Sequence, residues 1–441
     1  MPKLITMLCL TACCALALLP YPLQAASHKD SVSLSSGIEW DAGGSLRLRY
    51  EWKQGFALGK PGAVDPQDYL LSQLRVHLNI HDSDRWGLFV EGQDSRVHST
   101  FLRNTVNDTK AANIFADRFD LHQGYLDLGW GDDFGAKLRV GRQKFNLGAL
   151  RLVASLEWVN TARVWDAVRL SQRLGKGRVV DVFASHLVAV RPRGFNTHAV
   201  TGNRMFDSQF YGVYLTDKLS VRDSRIELYY LLRRNTRAGD RVHTTGLRYD
   251  YKKGAWNADG EAMLQTGNYG FLRQRAYAAH IGIGRTLWPD WHLGIAYNYG
   301  SGDSNPLDGK HQTFDNLYPL NHAYYGYMDL FSLQNIHNGE AVLTWKANKQ
   351  NKLRLAYEGF WLVKSGTDAW YNAGGGAIRR ATGSVSSYVG SEIDFTLATA
   401  FKPWHISTVL GYSHFFAGSY IQQTGTSRDA NFFFLQTKYI Y

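Results

Sequence analysis

Arginine recurs at alternate positions of short apolar–polar segments, and this spacing carries most of the chemical content of the sequence. Arg47 and Arg49 alternate with Leu46 and Leu48 and lead to Glu51; Arg75 and His77 alternate with Leu74, Val76 and Leu78. Arg139, Arg169, Arg225, Arg233, Arg248 and Arg354 stand in the same phase of their own segments. A planar guanidinium can take a carboxylate through two parallel hydrogen bonds, so several facing one space would attract and orient anions. Acids share that phase: Glu51, Glu91, Asp127, Asp181, Glu227, Asp250, Glu261, Glu358, Glu392 and Asp394. For any single residue, cross-strand pairing of opposite charges that stiffens a sheet is the plainer reading. The group Arg47, Arg49, Arg75, Arg139 and Arg169 outnumbers its neighbouring acids, and together it points to an anion-preferring surface.

Other patterns carry less. Asp303 and Asp308 lie in a segment resembling a calcium loop, but no Glu closes it at the required distance. It therefore reads as a turn with at most weak calcium affinity. His311, His322 and His337 lack metal-ligand spacing. Ser407 and His414 have neither an orienting third residue nor an oxyanion donor, so no enzyme is expected. No cofactor is implied.

The elements that must position these residues are strands. Period-2 alternation appears in eighteen segments: 45–52, 74–80, 86–93, 123–130, 137–143, 164–173, 178–187, 209–215 and 225–233, then 243–251, 256–265, 274–285, 291–299, 340–346, 352–362, 392–401, 406–412 and 431–441. Long links (53–69, 94–120, 144–163, 188–208, 300–339 and 363–391) alternate with tight turns, while those after the ninth and eleventh segments are of moderate length. A β-sandwich would give an aliphatic core face, and a propeller would show a blade repeat; neither accounts for the alternating links.

An even number of strands with long links at one end and short turns at the other is the plan of an outer-membrane barrel. About 23 residues are available per strand and link, of which a tilted membrane strand takes about 10. The expectation is an all-β, antiparallel, up-and-down transmembrane barrel of about 18 strands, with long extracellular loops and short periplasmic turns. In hydrocarbon an unpaired backbone group costs several kcal/mol, so the sheet must close. Apolar residues then face lipid, the arginine phase faces inward, and a barrel this wide leaves an aqueous channel. The last segment places Phe433, Leu435, Thr437, Tyr439 and Tyr441 on one face, an ending typical of such barrels.

The remaining composition agrees. Among 441 residues, 13 Trp, 25 Tyr and 22 Phe suit a surface that is apolar on one side and wet on the other. Residues 1–26 read as a secretory signal, with Lys3 before an uncharged apolar run and small residues at Ala25 and Ala26. Cys9, Cys13 and Cys14 all fall within it, so the mature chain (27–441, one barrel domain) has no thiol for disulfide, metal or catalysis. The formal charge of +11 calls for an anionic partner: a solute, or outer-membrane lipid and lipopolysaccharide. Nucleic acid is excluded by the export signal and by arginines spread through strands.

Three stretches add a family likeness. Leu138-Arg-Val-Gly-Arg-Gln143, residues 151–170 (RLVASLEWVNTARVWDAVRL) and residues 301–319 (SGDSNPLDGKHQTFDNLYP), followed by His322 and Gly326-Tyr-Met-Asp329, resemble the alginate export family. The resemblance implies an eighteen-stranded monomeric barrel in the bacterial outer membrane, with an arginine-lined constriction for an anionic polysaccharide. It implies Arg139, Arg142, Arg151, Arg163 and Arg169 at the constriction, with Asp166 as acidic counterpoise. It also implies a long periplasmic turn near the C-terminus that plugs the channel, whereas here only Lys402-Pro-Trp404 joins the sixteenth and seventeenth strands. Uptake of small organic acids or oligosaccharides is the alternative to export. Segment 144–163 is expected to fold inward and narrow the bore.

Overall fold

The computed structural model describes residues 32–33, 37–58, 65–82, 85–98, 114–130, 135–192, 194–197, 208–218 and 223–441. The expected signal segment lies outside the described residues. Eighteen antiparallel strands form the wall. They are β1 (Ile38–Gln54), β2 (Gln67–Asp82), β3 (Trp86–His98), β4 (Asp117–Trp130), β5 (Ala136–Gln143) and β6 (Trp165–Arg173). Next come β7 (Arg178–Leu187), β8 (Gln209–Asp217), β9 (Ser224–Asn235), β10 (Asp240–Lys253), β11 (Trp256–Tyr269) and β12 (Leu272–Trp288). The last six are β13 (Trp291–Gly300), β14 (Ile336–Lys346), β15 (Asn351–Leu362), β16 (Tyr388–Phe401), β17 (Ile406–Ala417) and β18 (Ala430–Ile440). Each pairs with its sequence neighbours, and β1 pairs with both β2 and β18 to close the cylinder.

Alternation explains the wall. Leu46 and Leu48 are 39% and 42% exposed on its outer face, while Arg47 and Arg49 between them are 7% and 2% exposed inside. The same two-residue rhythm exposes Leu74, Val76 and Leu78 on β2, and Leu228, Leu247, Leu264 and Ile281 around β9–β12. No described helix is long and apolar enough to cross a membrane, as befits a wall of strands.

The links after β9 and β11, expected to be moderate, are the tight turns 236–239 and 270–271. Strands β9 to β12 run on instead, the register holding from Asn235↔Asp240 and from Tyr269↔Leu272. Each of the eighteen segments is present, most of them longer than the sequence pattern alone indicated. Around β1, for example, the wall begins at Ile38, seven residues before its alternating run. The short-turn end also holds the chain's C-terminal residue, where Gly44 and Tyr441 exchange backbone hydrogen bonds.

The apolar core of this protein lies inside the cylinder rather than between layers. Segments 144–164, 301–335 and 363–387 turn inward from the long-loop end. They bury Phe145, Leu152, Tyr318, Phe331 and Trp370 against the inner-face residues Trp165, Phe183, Phe210, Phe360 and Phe415. Phe331 stacks on Phe360 with centroids 3.7 Å apart, and the Trp370 indole donates to the Leu330 carbonyl. Segments 144–164 and 301–335 also join each other. The Ala154 and Leu320 amides donate to the carbonyls of Tyr318 and Leu150, and the Tyr318 amide to that of Leu152.

Candidate functional site

The inward segment 144–164 is pinned by the arginines of β1 and β2. Arg47 donates to the carbonyls of Glu157 (2.6 Å) and Val159 (3.1 Å), and Arg49 to the carbonyl of Trp158 (2.6 Å). Arg75 binds the Glu157 carboxylate at 2.7 Å. Burial alone would raise the Glu157 pKa, but Arg75 and Lys144 overcome it and hold the carboxyl well below the usual range. At the other end of the segment, Arg151 reaches across to β11, meeting Glu261 at 3.2 Å and Asp259 at 3.4 Å. The segment is thus tied to walls on both sides of the bore, as its inward folding requires.

A column of stacked groups then crosses from one part of the wall to another. The Arg49 guanidinium lies 3.8 Å over Trp158. Trp158 stacks on His322 at 3.6 Å, His322 on Tyr327 at 4.7 Å, and Arg354 of β15 caps Tyr327 at 5.2 Å. Cations above ring faces and rings stacked in parallel each contribute of order 1 kcal/mol. Asp329 locks the middle, accepting from the Trp158 indole and meeting the His322 ring at 3.2 Å. Of nine described non-glycine residues with positive φ, six lie in the two crossing segments: Leu150, Leu156, Ala162, Leu317, Asp329 and Asn335. A left-handed non-glycine residue costs about 1 kcal/mol, so packing must over-determine this shape.

Arg139 and Arg169 form a different group. They are Cα partners on β5 and β6, both facing inward, with side chains 26% and 24% exposed. Arg139 is held by Asp127 through two bonds (2.6 and 2.7 Å) and by the Tyr125 ring, 3.7 Å away. Tyr125 stacks on Phe89, and Phe89 on His77, so an aromatic strip lines this wall. Arg169 gives only its Nε to Asp181, at 3.0 Å. Two guanidiniums thus stand side by side on the inner face, each paired with one carboxylate, and Arg169 keeps its terminal nitrogens clear of that pairing.

The remaining expected residues are placed as follows. Arg248 pairs with Glu227 and Asp250, and Arg354 with Glu340. His77 sits 3.7 Å from Asp41. Arg163 is buried in the crossing segment, donating to the carbonyls of Ala154 and Pro319, and burial pushes its pKa down to about 10. Arg142 and Asp166 differ from the lining expected of them. They pair with Gly124 and His186 in a register row that alternates with the inward Gln143 and Trp165. Arg142 donates to Asp166 and to the carbonyls of Leu121 and Asn196, and so seals the wall where the β5 ladder ends. Its three-residue offset from Arg139 already puts it in the opposite phase. Asp308 is an ion-pair partner of Lys310, and Asp303 accepts from the Asn305 amide two residues on. No group of three described His, Cys, Asp or Glu residues is arranged to hold a metal.

Alternation could not find Glu157, Trp158, His322, Tyr327 and Asp329, because they lie on loops. All five stand instead in the stretches that carry the family likeness, 151–170, His322 and 326–329.

Comparison with known proteins agrees with this architecture. A family model described as alginate export matches residues 39–435. Among solved structures, OccAB4 of Acinetobacter baumannii superposes with a TM-score of 0.62 at 12% identity, covering 92% of this chain and 98% of that one. Pseudomonas aeruginosa OpdO gives 0.61 at 13% identity, covering 91% and 97%. Pseudomonas aeruginosa OpdK, solved with vanillate, gives 0.61 at 11% identity, covering 91% and 98%. At such identities the likeness is one of fold. No curated protein matches.

Proposed function

Given that the chain belongs to the alginate export family and forms a non-enzymatic channel of the bacterial outer membrane, we propose that it passes a carboxylate-bearing polysaccharide of the alginate type. The polymer moves passively, down its gradient, through a single barrel acting as a monomer. The pairing of Arg139 with Arg169 carries this reading. Their side chains are partly open to the interior, lie beside an aromatic strip, and stand below the strapped mouth of the bore. A carboxylate could meet the free nitrogens of Arg169 and move on, because Asp127 and Asp181 keep either arginine from holding it too tightly.

Two observations favour a second reading, uptake of small organic acids or oligosaccharides. The 402–405 link between β16 and β17 is too short to form a periplasmic plug. The similar barrel OpdK was solved with vanillate, an organic-acid anion. Single-channel recording in a planar bilayer separates the two. Polymer export predicts block by polymannuronate at concentrations where small carboxylates have no effect. Block by small carboxylates alone favours uptake, and a pore without anion preference defeats both.

A further inference from the structure

Among the described residues, four arginines of the outer rim have no acid within ion-pair reach. They stand where β9 to β12 project beyond the membrane-facing band, joined by the two tight turns instead of loops. Arg234 and Arg241 are Cα partners, and Asn268 and Arg273 continue the same register row across β11 and β12. The row beneath runs through Leu232, His243, Thr266 and Arg275. All four arginines are exposed, and they alternate with the inward, buried Arg233, Val242, Gln274 and Ala276, so the basic rows are on the outer face.

Directly below, the row Tyr230, Thr245, Leu264 and Tyr277 opens the lipid-facing band; Tyr230, Leu264 and Tyr277 are exposed, as are Leu247 and Ile281 further down. At about 3.4 Å per residue, the two basic rows stand about 7 and 14 Å further along the strands. That is the depth of headgroups rather than acyl chains. The His243 ring is occupied by the Tyr230 hydroxyl at 2.6 Å.

Like charges directly opposite on adjacent strands destabilise a sheet. Elsewhere on the rim the chain avoids this: Arg96 of β3 is gripped by Asp94 of the same strand at 2.7 and 2.5 Å. Around Arg234, Arg241, Arg273 and Arg275 no described carboxylate is within ion-pair distance, and Asp308 on the neighbouring segment is held by Lys310. An anion supplied from outside would offset the repulsion between Arg234 and Arg241 and suit the exposed arginines beside them, and acyl chains would cover the apolar band beneath.

We propose that this face of β9–β12 binds the phosphorylated saccharide headgroup of an outer-leaflet glycolipid, its acyl chains lying along Leu264, Tyr277 and Ile281. Basic clusters beside the apolar band of a membrane protein recognise anionic headgroups in this way. The site is separate from the bore, since its side chains point away from the interior.

The test is native mass spectrometry of the full chain released from micelles, with diphosphorylated lipid A, dephosphorylated lipid A and its soluble phosphorylated disaccharide as probes. A one-to-one adduct is expected with the diphosphorylated lipid, and about tenfold or more weaker binding after dephosphorylation. The variant R241Q/R273Q/R275Q should lose the adduct, while R96Q keeps it. Heat-modifiable gel mobility and single-channel conductance, both unchanged in the triple variant, would show that its barrel is intact. Equal binding by that variant or by the dephosphorylated lipid overturns the proposal. So does equal binding of the soluble disaccharide, which would leave the apolar band without a role.

Discussion

Arginines at 47, 49 and 75 and arginines at 139 and 169 arise from the same sequence rhythm, yet the two groups are in different states. The first group is buried, and it donates to the carbonyls of residues 157–159, to Glu157 and, through the Arg75 Nε, to Gln93. The second group is a quarter exposed and held at one edge by Asp127 and Asp181. What separates them is the loop that folds over the first and leaves the second open. A guanidinium that spends its hydrogen bonds on backbone becomes a structural rivet that still carries charge. One that keeps nitrogens free can meet a solute.

The sharpest break in this contrast comes from R49A. It removes a buried ion-pair partner of Glu51, the clamp on the Trp158 carbonyl and one end of the stacked column. Loss of about 3 kcal/mol of stability is expected from urea unfolding in lipid, with a larger and noisier single-channel conductance as segment 144–164 is released. Unchanged conductance would mean that the column does not hold the loop.

R139A/R169A should do the reverse. Stability falls by less than in R49A, because Asp127 keeps Lys137 and Asp181 keeps the Ser171 hydroxyl, but anion preference, read from the reversal potential in a salt gradient, falls roughly fivefold, the effect of about 1 kcal/mol of charge interaction in water. A retained preference would move the selectivity to the riveted group.

Acid provides a milder probe of the clamp. The Glu157 carboxyl is held below its ordinary range, so its contribution is present above the unfolded pKa and is lost only as pH falls through the depressed folded value. Conductance noise should therefore stay flat from pH 7 down to about 4, near the ordinary carboxylate range, and E157Q should show the noise already at pH 7. Noise rising near pH 6 would assign the clamp to another group. The smallest effect belongs to R169K, which keeps the charge but loses the fork. Its reversal potential should stay near that of the unaltered protein, while block by polymannuronate weakens.

Much of this was legible in the chain itself. Eighteen alternating segments, long and short links in turn and a last strand rich in aromatics follow from one constraint: a wall in hydrocarbon must pair its whole backbone and show apolar side chains every second residue. The inward phase of Arg47, Arg49, Arg75, Arg139 and Arg169 is part of the same period. So is the opposite phase of Arg142, three positions after Arg139. Alternation carries no information on what a link does after leaving the wall. The paths of 144–164 and 301–335, the stacking of Trp158 on His322 and the capture of Arg47, Arg49 and Arg75 depend on contacts between residues more than eighty positions apart. Local periodicity fixes which face a side chain takes, whereas only the closed cylinder brings distant loops into one interior and decides which charges remain open to water.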